Sequence, residues 1–295
     1  MTVEPREVSR MTLGVLSNDL IDESLLQAIE EHESWTLSGI FANKTNHPQD
    51  GSTKDELIKH SDALYLTSDY PDVFQTASNL IKTGKHLYLS SMASFETKQV
   101  DELLRQSREA NLNACTGTYT HSHPTFQTLV SLQPQASMIE LYRQYPFPNT
   151  KSWRMFLYED LAIVLSLIQS EIKRISASSL AMLRNETDLI DIRLEFTNGQ
   201  AAHLQINLSG HTQRHKLFVY ERGRRVSLDF IKNSLRIGHQ SVAEEHLHPT
   251  WHNPYSTQLH AFYKYIHHQA PALLSLQTVH TLLSTLTRIE EKINS

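Results

Sequence analysis

Histidines are the first residues in this sequence whose chemistry invites attention, because the chain has 17 of them and a single cysteine, Cys115. Two groups lie close together along the chain: His246, His248 and His252 beside a proline, and His121 with His123. Neither group has the HExxH spacing of a zinc helix or a nearby cysteine. We therefore expect surface or hydrogen-bonded histidines and no metal site.

A second candidate for chemistry is a carboxylate, Glu159, in an apolar stretch where Phe156, Leu157, Leu161, Val164, Leu165 and Ile168 indicate a helix. A carboxylate can act as a general base when it reaches a substrate hydroxyl. It can also be a solvated or capping side chain. Both interpretations stay open at this stage.

The elements that would position these groups are clearest between Asp62 and Leu112. Ala63–Leu66 and Leu87–Leu89 are short apolar runs typical of buried strands, and each precedes apolar residues at helical spacing. Two strands in tandem, each followed by a helix, predict a parallel sheet. The pattern before this stretch, from Met11 to Phe41, adds a strand, a helix and a second strand. Residues 113 to 117 read as a fifth strand.

The later part of the chain has a different pattern. Ile190–Phe196 and Ala202–Leu208 alternate apolar and polar residues on either side of Asn198-Gly199, which predicts an antiparallel hairpin. The runs 172–183, 217–220, 226–228 and 235–237 complete an open sheet of about six strands. We interpret Ala136–Tyr142 as a linking strand and residues 146–149 as a turn, and two helices end the chain.

These patterns predict two domains. Residues 11–123 form a Rossmann-like α/β domain, a parallel sheet with helices on both faces, and residues 124–295 form an α+β domain with an open, mostly antiparallel sheet and helices. Composition excludes other classes: the net charge of −5 is not arranged in a basic stripe, so nucleic-acid binding is not expected. No apolar run reaches membrane-spanning length and the single cysteine suits a reducing compartment, so we expect a cytoplasmic protein.

One segment resembles a known family. Gly84-Lys85-His86-Leu87-Tyr88-Leu89-Ser90-Ser91-Met92 is similar to the fourth-strand signature of the glucose-fructose oxidoreductase/inositol dehydrogenase/MocA (Gfo/Idh/MocA) family, in which Gly-Lys-His runs into Glu-Lys-Pro. The resemblance implies an NAD(P)-dependent oxidoreductase acting on a sugar, polyol or related hydroxylated substrate. The family's catalytic lysine falls on Ser91, and its aspartate and histidine, four residues apart on a later helix, fall on Met155 and Glu159. Ser91 and Glu159 are therefore the degenerate catalytic positions.

The resemblance also places the cofactor. On the family's spacing Ser17, Asp19 and Asp22 occupy the three glycine positions of the GxGxxG turn, with Asn18 between them, and Ala42-Asn43 replaces the acidic residue that holds the adenosine ribose. Two like charges about 4 Å apart repel by roughly 4 kcal/mol at a surface-like dielectric. The carboxylates therefore oppose a pyrophosphate, while they suit a helix N-terminus. The sequence predicts weak or absent NAD(P) binding.

The substrate cleft is expected near the start of the second domain, at Tyr119, His121, His123 and Trp153. Two function classes follow. One is a non-catalytic relative that binds a small ligand or regulates, without cofactor; the other is an active oxidoreductase that uses NAD or NADP. We also predict a homo-oligomer that pairs through the polar face of the C-terminal sheet, which carries Asp191, Arg193, Glu195, His203, Gln205 and Asn207.

Overall fold

The structure, a computed structural model, describes residues 10–42, 53–147, 152–183, 187–239 and 242–294. The elements follow the chain in the order β1 (Met11–Leu16), α1 (Glu23–Glu30), β2 (Trp35–Phe41), α2 (Lys54–His60), β3 (Ala63–Leu66), α3 (Val73–Lys82), β4 (His86–Leu89), α4 (Thr97–Ala110), β5 (Ala114–Thr116), α5 (Pro124–Ser131), β6 (Met138–Pro146), α6 (Trp153–Leu167), β7 (Ile172–Leu180), β8 (Leu189–Phe196), β9 (Ala201–Gly210), β10 (Arg214–Glu221), β11 (Arg224–Asp229), β12 (Ser234–His239), β13 (Val242–Leu247), α7 (Pro254–Ile266), β14 (Leu274–Ser275) and α8 (Leu276–Ile293).

The chain divides into two compact units. Unit 1 comprises Met1–Gly117 and Asn253–His280, and unit 2 comprises Thr118–His252 and Thr281–Ser295. The predicted division at residue 124 differs from this, because residues 253–280 belong with the N-terminal part. The reason is burial: Leu259 and Phe262 of α7 join the core of the first sheet, and the Trp35 indole N–H donates to the Leu259 carbonyl at 3.0 Å.

Unit 1 is a Rossmann-like unit. Its sheet has the strand order β14-β5-β4-β3-β1-β2, and all of its pairings are parallel except that of β14. The order of the strands changes direction between β1 and β3, and ligands of open α/β sheets bind beyond the carboxyl ends of the strands at such a point. The predicted parallel sheet is confirmed. Helix α1 begins at Glu23, because the Asp22 side chain accepts from the Ser24 N–H as its N-cap.

Unit 2 contains a sheet in the order β13-β12-β11-β10-β6-β9-β8-β7, in which only β6 with β9 is parallel. The predicted hairpin is confirmed as β8 and β9, with Gly199 at φ +85° in its turn. Side chains alternate between buried and exposed along β8 to β12, and α6 packs against β9. This buried face forms the core of the unit.

Two sequence predictions for unit 2 are wrong. The sheet has eight strands rather than about six. The segment interpreted as a link is the central strand β6, whose partners β9 and β10 lie about 60 to 80 residues away along the chain, so local pattern could not reveal them. His246 lies in the edge strand β13.

The segment 118–123 leads into the helix α5. His123 caps this helix by accepting from the Thr125 N–H at 3.3 Å, and Pro124 occupies its first position. Residues 148–149 of the predicted turn, and Asn43, lie outside the described residues.

Candidate functional site

Unit 2 contains a pocket of about 710 Å³. Its walls come from the segment before α5, from β6 and α6, from the start of β10, from the turn between β11 and β12, and from one residue before α7. The lining residues are Tyr119, Thr120, His123, Arg143, Tyr145, Met155, Phe156, Glu159, Gln213, Arg214, His215, Phe230, Ile231, Lys232, Asn233 and Trp251. Pockets of this size, with apolar walls and a few polar groups, are the usual place for a small ligand.

A buried cluster of charged and polar side chains forms one wall of this pocket. Arg143 of β6 donates to both carboxylate oxygens of Asp160 on α6, with Nη2 at 2.6 Å from Oδ1 and Nε at 3.2 Å from Oδ2. His215 of β10 lies with Nε2 at 3.0 Å from Asp160 Oδ1. The Arg143 guanidinium also lies over the Phe156 ring, 4.8 Å from its centroid. The cluster thereby ties β6 and α6 to β10, where His215 lies 55 residues after Asp160 in the sequence.

The cluster fixes the protonation of His215. Burial would raise the pKa of Asp160, but Arg143 and His215 outweigh it and hold that pKa below its ordinary value. Burial, aided by Arg143, lowers the pKa of His215, so the imidazole is neutral at pH 7. An ionised Asp160 only accepts hydrogen bonds, so Nε2 of His215 carries the proton and Nδ1 keeps its lone pair. A neutral, oriented imidazole of this kind can accept a hydrogen bond or a proton.

Glu159, the predicted general-base candidate, also lies at this pocket. Its Oε2 accepts from Thr120 Oγ1 at 3.0 Å and is 3.0 Å from Arg143 Nη1, and 22% of its side chain is exposed. Both partners bind the same oxygen. Glu159 thus helps to neutralise Arg143, and its second oxygen is the one left for a ligand.

The predicted cleft residues are only partly brought together. Tyr119 and His123 line the pocket with Glu159, and burial lowers the pKa of His123 to about 4, with His215 and His252 adding to the effect. His121 is buried and lies 5.0 Å from the Phe126 ring, while Trp153 begins α6; neither belongs to the lining residues. Ser91 belongs to unit 1, where its hydroxyl accepts from the Ala93 N–H at 3.3 Å.

The β1–α1 turn of unit 1 uses its own carboxylates to satisfy its backbone. The Asp19 N–H donates to Asp69 Oδ2 at 3.1 Å, and the Ser24 N–H donates to Asp22 Oδ1 at 2.9 Å. Asp22 Oδ2 also accepts from the Tyr255 hydroxyl at 3.1 Å, and Ser17 is buried with its hydroxyl donating to the Asp19 carbonyl.

The β1–α1 turn is where a Rossmann-like unit would hold the pyrophosphate of a nicotinamide dinucleotide. A pyrophosphate at such a turn needs the free N–H groups of the helix start. Here Asp22 already accepts from the Ser24 N–H at the helix start, and Asp69 accepts from the Asp19 N–H in the turn before it, so two carboxylates compete with a pyrophosphate for these donors. The residues present do not fit the group.

A smaller pocket of about 400 Å³ lies beside this turn within unit 1. Ser17 and Asn18 line it together with Phe41 at the end of β2 and Lys54 at the start of α2. Lys54 Nζ lies 5.1 Å from the centroid of the Tyr70 ring, which also lines the pocket. Ala42 directly follows β2.

No group of three or more His, Cys, Asp or Glu side chains among the described residues has the arrangement to hold a metal ion. Within the same part of the chain, no helix combines the length and apolar character needed to cross a membrane.

Sequence reasoning missed the buried cluster, although a signal was present. Arg143, Asp160 and His215 each occupy a buried position among apolar neighbours of their own element, since β6 buries Ile139 and Leu141, and β10 buries Leu217 and Val219. A polar residue at an inward position needs a partner. The sequence alone does not say that the three are partners of one another.

Comparison with known proteins places the fold. No family model matches the chain. It is 23% identical over 193 residues to the UDP-N-acetylglucosamine 3-dehydrogenase of Acidithiobacillus ferrooxidans, a match that spans 64% of this chain and 62% of that protein.

Solved structures match over nearly the whole chain. The crystal form of the same enzyme in space group P212121 has a TM-score of 0.86 at 19% identity, covering 96% of this chain and 98% of that one. The dehydrogenase MviM from Clostridium difficile has a TM-score of 0.82 at 13% identity, covering 96% and 99%. An NAD binding oxidoreductase from Klebsiella pneumoniae has a TM-score of 0.79 at 13% identity, covering 97% of each chain.

Proposed function

The chain has the fold of the Gfo/Idh/MocA-type dehydrogenases, as expected of a diverged member of that family, and from this premise we propose that it binds a small, sugar-like hydroxylated ligand in the pocket of unit 2. Sugars present hydroxyl groups around apolar ring faces. The pocket offers acceptors in His215 and Glu159 and an exposed aromatic face in Trp251, which is 55% exposed.

Two activities are compatible with such a ligand. In the first, the protein binds the ligand without hydride transfer and serves as a sensing or regulatory protein. One observation carries this proposal: the N–H groups of Asp19 and Ser24 already donate to the carboxylates of Asp69 and Asp22. Without a site for the dinucleotide there is no partner for the hydride.

The second activity has equal standing: an NAD(P)-dependent oxidoreductase acting on a sugar or related hydroxylated substrate. The similarity to an enzyme named UDP-N-acetylglucosamine 3-dehydrogenase supports it, as does the fold shared with an NAD binding oxidoreductase. In this case the dinucleotide would have to displace Asp69 from the turn.

Titration of the purified protein with NADH and with NADPH separates the two activities. For the non-catalytic protein we expect no binding up to about millimolar concentration, which corresponds to less than about 4 kcal/mol of binding free energy. Micromolar binding, together with reduction of NAD or NADP in the presence of UDP-N-acetylglucosamine, glucose or myo-inositol, would establish the oxidoreductase.

A variant series sharpens this test. Glycine at Ser17, Asp19 and Asp22, combined with Asp69→Asn, should raise dinucleotide affinity in a non-catalytic protein and lower it in an enzyme that has adapted to these residues. Glu109→Gln is the matched control, because Glu109 is an exposed carboxylate of unit 1 in the last turn of α4 and does not line the pocket beside the β1–α1 turn.

A further inference from the structure

We propose that the ligand of the unit 2 pocket carries an anionic group, a carboxylate or a phosphate, beside its hydroxyl groups, and that Arg214 and Lys232 bind it. This inference rests on the proposed ligand site and adds the chemical class of the ligand. Both side chains line the pocket, and neither forms an ion pair with any described residue.

The pocket is lined by three cationic side chains from the described part of the chain, of which Arg143 is paired with carboxylates while Arg214 and Lys232 are not. The charge of Arg143 is neutralised within the protein, because carboxylate oxygens of Asp160 and Glu159 both lie within 3.0 Å of its guanidinium nitrogens. No carboxylate of the described residues lies within ion-pair distance of Arg214 or Lys232. Several cations near the pocket end of the same sheet or on its far strands are paired, Lys216 with Asp229, and Arg225 and Arg236 with Glu244, whereas Lys173 and Arg174 of β7 are unpaired among the described residues but do not line the pocket. Although the protein has a net charge of −5, two cations of the pocket wall thus have no carboxylate partner within the ranges that the structure describes.

The backbone brings these two residues to one side of the pocket. Arg214 begins β10, and the Phe230 N–H donates to the His215 carbonyl at 3.0 Å, which sets the residues after β11 beside the start of β10. Lys232 lies in the turn that follows. Asp229 Oδ1 accepts from the N–H groups of Ile231 and Lys232 at 3.1 and 3.0 Å, so the turn has a fixed shape.

The end of this turn is anchored as well. Asn233, at φ +46°, accepts from Thr125 Oγ1 at 2.8 Å and donates to the Pro249 carbonyl at 2.7 Å. An asparagine tolerates this left-handed backbone conformation better than most residues. The Lys232 backbone is thus held before any ligand arrives, so little ordering of the main chain opposes binding.

The neighbouring groups define the rest of the ligand. His215 presents its Nδ1 lone pair to a hydroxyl, and it stacks on Phe230 with ring centroids 4.3 Å apart. Trp251 lies against His123, with centroids 5.3 Å apart, and offers an apolar face to a sugar ring. A cation pair, a hydroxyl acceptor and aromatic rings within one pocket match a sugar acid or a sugar phosphate better than a neutral sugar.

Calorimetric titration of the full chain tests this with three probes: D-glucose, D-glucuronate and D-glucose 6-phosphate. We expect at least one anionic sugar to bind about tenfold or more tightly than glucose, since ionised hydrogen bonds are about twice as strong as neutral ones. The advantage should shrink between about 0.1 M and about 1 M salt, where the screening length falls from about 10 Å to about 3 Å. Preference for glucuronate or for glucose 6-phosphate identifies the anion.

Variants connect the effect to the two residues. Arg214→Gln with Lys232→Met should remove the preference, so that the anionic sugar binds about as tightly as glucose does to the same variant. Lys173→Met with Arg174→Gln removes the same charge from β7 of the same unit, away from the pocket, and should leave the preference intact. Equal loss in both double variants would show a long-range charge effect and overturn the inference.

Three further results of the titration would overturn the proposed anionic sugar ligand. Equal affinity for all three probes would overturn the anionic ligand while leaving a hydroxylated-ligand pocket in place. Inorganic phosphate binding as tightly as glucose 6-phosphate would reduce the site to a simple anion site without sugar recognition. Binding of no probe would overturn both this inference and the proposed ligand pocket, which distinguishes it from failure of the anionic group alone.

Discussion

The buried carboxylate of Asp160 is the residue on which the unit 2 cluster depends, since it accepts from both Arg143 and His215. Breaking a buried ion pair leaves the other charge uncompensated, which typically costs about 3 to 5 kcal/mol. We expect Asp160→Asn to lower the free energy of unfolding by that amount in urea denaturation. Asp191→Asn, which breaks the exposed pair with His203, should cost less than about 1 kcal/mol. Similar losses in both variants would contradict the importance of the buried cluster.

His121 offers a pH-dependent prediction at the same scale. Its ring is buried, its Nδ1 has no hydrogen-bond partner among the described residues, and burial lowers its pKa to about 4. Because the folded pKa lies below the unfolded value near 6.5, the unfolded chain binds the proton more readily. Stability is therefore complete above about pH 6.5 and falls as the pH drops towards 4, by about 3 kcal/mol from this residue.

His121→Phe should remove that contribution, because phenylalanine keeps the ring contact with Phe126 and has no titrating group. The measurement is urea unfolding between pH 7.5 and about 4.5, where the variant should show a shallower loss of stability than the natural protein. His123 keeps its own contribution of the same sign, so the slope is reduced rather than abolished. His211→Phe, a change at an exposed histidine, is the control and should leave the slope unaltered.

At the scale of elements, the start of α1 shows how one carboxylate serves the fold through two hydrogen bonds. Asp22 caps the helix and also accepts from Tyr255 just inside α7. Asp22→Ala should lower the free energy of unfolding by about 1 kcal/mol, and Asp22→Ser should restore most of the loss because serine is an equally good N-cap. Thermal unfolding of the two variants measures the difference. Equal destabilisation would show that the bond to Tyr255, rather than the cap, is what matters.

At the scale of the whole molecule, the outer face of the β8–β9 hairpin leads to a prediction about assembly. Asp191 and His203 form a pair at 2.8 Å, and Arg193 lies 3.4 Å from Glu195, so the face is polar and already partly neutralised. We predict a homodimer through this face in solution. Light scattering should report twice the chain mass, and Arg193→Asp with Gln205→Asp should shift it towards the monomer. Arg236→Asp on β12, outside the hairpin, is the control and should leave the mass unchanged. If the unmodified protein stays monomeric at tens of micromolar concentration, the prediction is wrong.

The sequence by itself determined the local architecture. Helical periodicity in 62–112 and strict alternation on both sides of Asn198-Gly199 depend on neighbours within a few residues, so they could be interpreted without knowing the fold. The acidic β1–α1 turn was also evident, since Asp19 and Asp22 stand where glycines are expected. Their hydrogen-bond partners were not, because Asp69 and Tyr255 come from distant parts of the chain.

Only the tertiary structure decided which distant residues meet. The pairing of β6 with β9 and β10 brings Arg143 and His215 to the same buried site, and α6 adds Asp160 to them. Packing between elements distant in sequence also places α7 with unit 1, and it places Arg214 beside the turn that holds Lys232. Each of these contacts joins residues that are more than ten positions apart in the sequence. They form because folding buries the combined apolar surface of the elements, which the secondary-structure preferences of neighbouring residues do not reveal.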